Sequence, residues 1–78
     1  INKEKSFLLN NIGNFEIATG FYQKALENYE KSYEIYKTVY ADNLNHPDIA
    51  RILNNIGIAY GNKGDYQKAL ENYEKSYE

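Results

Sequence analysis

Cysteine, methionine and tryptophan are absent from the 78 residues, and proline and histidine occur once each. Without cysteine the chain forms no disulfide and offers no thiolate to a metal. One histidine falls short of the three or four ligands that a zinc site needs. Nor does it stand beside a serine or cysteine nucleophile, so neither catalysis nor a cofactor is expected. The net charge is only −2 and contains no basic block, which removes the electrostatic footprint of a nucleic-acid binder. No apolar run approaches the ~20 residues needed to cross a bilayer, and no signal-peptide pattern opens the chain. These absences lead to the expectation of a cytoplasmic, non-enzymatic protein without nucleic-acid or membrane partners. The first residue is Ile1 and the last, Glu78, falls in the middle of a helical pattern, so a piece of a longer protein is expected.

What is present is ordinary in hydrophobic and charged content, which argues against disorder, and unusual in its nine tyrosines. Tyrosine suits half-buried positions, where the ring packs and the hydroxyl reaches water or a partner. The main signal is an internal repeat. Tyr22 to Glu34 returns unchanged as Tyr66 to Glu78, and Leu9-Asn-Asn-Ile-Gly13 returns as Leu53 to Gly57, both at an offset of 44 residues. Two separate blocks at one offset define two units, 1–44 and 45–78.

Each unit reads as two helices. Pro47 and Asp48 suit the start of a helix, where a missing N–H costs nothing and the dipole favours an acid. Ile49, Ile52, Leu53, Ile56 and Tyr60 then recur at helical spacing. Gly61 to Asp65 stops that helix and supplies Asp65 as a cap for the next, while Thr19-Gly20 is the thinner stop in the first unit. Tyr22, Ala25, Leu26, Tyr29, Tyr33, Tyr36 and Tyr40 share one face of a long second helix. The expected helices span about 3–19, 21–41, 47–61 and 65–78, with no strand. His46-Pro47-Asp48 also occurs in J-domain co-chaperones, but here it precedes Ile-Ala-Arg-Ile without a basic helix and reads as a helix start. Gly57 and Gly64 lack the Gly-Lys-Ser/Thr ending of a phosphate loop.

Leu53-x2-Ile56-Gly57-x2-Tyr60 followed by Ala69-x3-Tyr73 resembles the tetratricopeptide pattern. The first unit matches at Leu9, Ile12, Gly13, Ala25 and Tyr29 but carries Glu16 in place of the tyrosine. The 44-residue period, the paired Asn54-Asn55 and the His-Pro-Asp are similar to the long-repeat, kinesin-light-chain-like subclass. HEAT repeats reach this length but lack glycine and alanine at these spacings. The resemblance implies an all-α fold of two helical hairpins, a fragment of a right-handed solenoid.

It further implies that the exposed face of each first helix lines a concave groove for an extended peptide. That face carries Arg51, Asn55, Ile58 and Asn62, and 44 residues earlier Phe7, Asn11, Asn14 and Ala18. Asn11 and Asn55 are the residues implied to pair with a peptide backbone, since an amide both donates and accepts. Arg51, the one charge on this stripe, favours acidic or neutral peptides. The expected function is a protein–protein interaction module. The alternatives are a spacer or self-assembly element without a ligand, or an accessory array of a larger enzyme or effector. Weak self-association is also expected, through Tyr66, Leu70, Tyr73 and Tyr77 on the last helix, because the first helix of another copy resembles a missing neighbour.

Overall fold

A computed structural model describes residues 2–77, so Glu78, which the fourth helix was expected to reach, lies outside the described residues. The elements are α1 (Asn2–Ala18), α2 (Tyr22–Val39), α3 (Pro47–Lys63) and α4 (Tyr66–Ser76). Among the described residues there is no strand. α1 packs on α2, α2 on α3 and α3 on α4, while α1 and α3 touch only lightly. The result is the expected all-α arrangement of two helical hairpins.

Local chemistry sets the boundaries. Gly20 and Gly64, 44 residues apart, both hold the left-handed backbone, at φ 87° and 88°. A side chain would strain that conformation, so glycine is what lets the helix turn back. Each turn is closed by a wide bond, Phe21 N to Glu16 O at 2.8 Å and Asp65 N to Tyr60 O at 2.9 Å. Gly64, not Gly61, takes the left-handed position, which is why α3 runs to Lys63 and not to 61. At the other end of α3 Pro47 occupies the first turn, and His46 Nδ1 accepts from Asp48 N at 3.0 Å as the cap. Asp65 caps α4 by accepting from Lys68 N at 3.2 Å. α2 stops at Val39, two residues before the expected end, because the chain enters turns closed by Asn43 N to Tyr40 O and His46 N to Asn43 O.

Within each hairpin a tyrosine ring packs against a glycine. A Cβ added to Gly13 would stand 2.5 Å from Tyr29 Cε1, and one on Gly57 would stand 2.7 Å from Tyr73 Cε1. Two turns before Gly13 on α1 and one turn after Tyr29 on α2, Ser6 and Ser32 are both fully buried and bond reciprocally, each Oγ donating to the other residue's carbonyl at 2.8 Å. Between the hairpins lies the apolar core of Ala25, Leu26, Tyr29 and Tyr36 from α2 with Ile49, Ile52, Leu53, Ile56 and Ala59 from α3. Each large aliphatic side chain buried there contributes about 1.5–3 kcal/mol.

Comparing the duplicates separates the faces. Ile52, Ile56 and Ala59 of α3 are 1%, 3% and 0% exposed, whereas their counterparts on α1, Leu8, Ile12 and Phe15, are 58%, 39% and 68% exposed. These positions therefore face the neighbouring hairpin, and the glycine positions face the partner helix of their own.

The two glycines of α3 make a test. Gly57→Ala drives a methyl into the Tyr73 ring and to 3.1 Å from the Ala69 carbonyl oxygen, so urea unfolding should show a loss of about 1–3 kcal/mol. Gly61→Ala meets nothing nearer than the Ala69 Cβ at 3.9 Å and should add about 0.5–1 kcal/mol by restricting the unfolded chain. Equal effects of the two substitutions would contradict the packing described.

Candidate functional site

The residues expected to line a groove are distributed unevenly. Phe7 of α1 and Arg51 of α3 do come together. With Lys3, Glu4, Tyr36 and Asp48 they line a depression of about 560 Å³ between the first turns of α1 and α3. Its floor is Tyr36, which is only 2% exposed, and Phe7 is a half-exposed apolar wall.

Arg51 is not the isolated cation that its place on the stripe implied. Its Nη2 donates to Asp48 Oδ1 at 2.6 Å, and the Tyr40 hydroxyl donates to Asp48 Oδ2 at 2.7 Å. Lys3 and Glu4 add one charge of each sign, so the basis for a preference against basic peptides disappears. Burial works against the charge on Asp48, but the hydrogen bonds from Tyr40 and Arg51 outweigh it and hold the carboxyl below its ordinary value. The His46 ring stacks on Tyr40 with centroids 3.7 Å apart, tying the turn before α3 to the same cluster.

Further along, Asn55 is half-buried and its amide donates to Asn10 Oδ1 at 2.8 Å. Asn10 is itself 4% exposed, so this bond joins α1 to α3 and takes up one of the two amide N–H donors of Asn55. Asn11, next to Asn10, is exposed. Asn14 accepts from the Tyr29 hydroxyl at 2.6 Å. Asn62 gives its amide back to Ile58 O at 3.0 Å, within its own helix. Ile58 is exposed, and neither it nor Asn62 lines the depression.

Four lining residues were missed in the sequence. The Asp48–Arg51 pair was readable from its i,i+3 spacing. Lys3 and Phe7 are likewise one turn apart. Tyr36 carried no signal of its own, since it reads as one more core tyrosine. Glu16, where the family pattern has tyrosine, accepts from Asn28 Nδ2 at 2.7 Å and so links α1 to α2 by polarity instead of packing.

No group of three or more metal-ligating side chains occurs among the described residues, and no helix is long and apolar enough to cross a membrane.

Two tests follow from this geometry. Burial pushes the Tyr29 hydroxyl up to about 12, and the Glu16 carboxylate adds to the effect. A folded value above the ordinary 10.0 means that its contribution is complete below pH 10 and is lost as pH rises through about 12. The ultraviolet titration of tyrosinate should show a ring ionising near 12 that is absent in Tyr29→Phe. A profile unchanged by that substitution would refute the assignment. Separately, Asn55→Ala should cost about 1–2 kcal/mol of stability, because it strands the Asn10 carbonyl oxygen; unaltered urea unfolding would show that the bond is idle.

Comparison with known proteins accords with these features. The tetratricopeptide repeat family matches residues 5–78. No curated protein and no solved structure matches the chain. With the family pattern running over almost all of its length, and with its glycines and alanine placed at the helix contacts, the chain belongs to the tetratricopeptide repeat family.

Proposed function

We propose that the chain binds an extended segment of a partner protein along the face of α1 and α3, anchored by one apolar side chain in the Phe7–Arg51 depression. Tetratricopeptide repeats serve generally as protein–protein interaction modules, and this reading adds a place and a chemistry. The observation that carries it is the convergence of Phe7 and Arg51 from two helices over the buried ring of Tyr36.

Such a depression, with an apolar wall, an aromatic floor and balanced charges at its rim, suits an apolar or aromatic side chain more than a charged one. Arg51 is held by Asp48 at 2.6 Å, so its guanidinium edge is positioned before a ligand arrives and little ordering is required on binding. Asn11, beside Asn10 in the chain, is an exposed amide, and it shares the backbone-pairing role with Asn55, one of whose donors is engaged by Asn10. The 44-residue period and the paired asparagines support the long-repeat, kinesin-light-chain-like form of the family as the setting for this groove.

A peptide array probed with the chain tests the reading. Phe7→Ala should weaken binding of the best peptides by about 1–2 kcal/mol, and Asn11→Ala by about 1 kcal/mol. Both residues are exposed, so stability should change by no more than about 0.5 kcal/mol. Binding that survives both substitutions undiminished would remove the groove from consideration.

A further inference from the structure

α1 and α3 hold equivalent places in the two units, but the faces they turn away from their own hairpins differ in kind. Ile49, Ile52, Ile56 and Ala59 form the face of α3 that packs on α2. The same places on α1 hold Lys5, Leu8, Ile12 and Phe15, all of them exposed. A helix of the α2 type leaves Ala59 0% exposed, so it has no room for a phenylalanine at that place. The outward face of α1 calls for a different neighbour.

Lys5, Leu8, Ile12 and Phe15 follow one another at intervals of 3, 4 and 3 residues, the spacing of a coiled-coil seam. The seam is also self-complementary about its middle. Laid antiparallel on a copy of itself, with the two Asn10 positions level, it sets Leu8 against the partner's Ile12 and Lys5 against the partner's Phe15. Two-fold symmetry repeats each pair. An ammonium over an aromatic face is attracted to it. The same register brings the partner's Glu16 to the flank of Lys5, because a two-fold axis across an antiparallel pair keeps like flanks together. A parallel pairing would instead oppose one Lys5 to the other, which is repulsive.

We propose that the outward face of α1 is a homodimer surface, joining two copies of this chain through an antiparallel, two-fold α1–α1 pair. The interface is isologous and closes on itself, so it gives a dimer and not a fibre. Four side chains from each copy fall short of the ~800 Å² per partner that a standard interface buries, so the dimer is weak and concentration-dependent. This route differs from the self-association expected through α4, where Tyr73 is already packed on Gly57 of its own hairpin. The seam contains neither Phe7 nor Arg51, so it does not rest on the groove.

Sedimentation over a wide concentration range tests the pairing, with circular dichroism to check that substitutions at the exposed positions 5 and 15 leave the helices intact. The parent should show a monomer–dimer equilibrium below about 1 mM. Phe15→Lys opposes two lysines twice over and should weaken the dimer at least tenfold. Phe15→Glu removes the same ring but gives each Lys5 a carboxylate, so it should dimerise roughly tenfold more tightly than Phe15→Lys. Adding Lys5→Glu to Phe15→Lys reverses both charges and should recover the dimer. Phe7→Ala, in the groove, and Leu70→Lys, on α4, should each leave it unchanged. The proposal is overturned by a parent that stays monomeric, by Phe15→Lys and Phe15→Glu behaving alike, or by an association that Leu70→Lys abolishes.

Discussion

The contact between a glycine Cα and a tyrosine ring governs the rest of the structure. Gly13 against Tyr29 and Gly57 against Tyr73 set how closely the two helices of a hairpin approach. A wider spacing would pull apart Ser6 and Ser32, whose bonds to each other's carbonyls require the backbones to be close. It would also shift the α2 face on which Ile52 and Ile56 are seated. The ring supplies the area and the missing Cβ supplies the space, so neither residue does its part without the other.

The same tyrosine reaches from the hairpin interior to the groove side. The Tyr29 hydroxyl donates to Asn14, whose counterpart in the second unit is Ile58, so an equivalent bond does not form from Tyr73. A second tyrosine works similarly at the other end: Tyr40 stacks on His46 and bonds Asp48, which in turn holds Arg51. The turn between the hairpins and the rim of the depression are therefore one polar cluster. That arrangement explains how a rim charge is kept oriented on a surface where isolated ion pairs contribute little.

The fold was legible because its determinants are local or periodic. The 44-residue offset, Gly20 and Gly64 at the turns, Pro47 at a helix start and the isoleucine spacing of α3 each act within one or two turns of chain. The groove was legible only as a helix face. Helical spacing put Arg51, Asn55, Ile58 and Asn62 on one stripe, but it could not show that Asn55 is bonded to Asn10, a residue 45 positions away. Nor could it show that Tyr36 lies beneath Phe7, because that depends on how α1, α2 and α3 are arranged together. The buried Ser6–Ser32 pair was invisible for the same reason: each serine alone reads as a surface residue of a helix.

Duplication also shows why apolarity by itself does not identify a site. Leu26 and Leu70 stand in identical sequence contexts, yet one is core and the other surface, and only the presence of α3 separates them. What the sequence specifies at such a position is the shape and polarity of an acceptable neighbour. The first unit makes the point from the other side. Lys5 and Phe15 are tolerated on α1 because both are exposed, whereas Ile49 and Ala59 are held to their size by α2. Departures between equivalent positions of a repeat thus mark where a packing constraint has been relaxed, and agreement marks where it persists. On that criterion the glycine–tyrosine contact is common to both units, and the outward face of α1 is the surface freest to have changed.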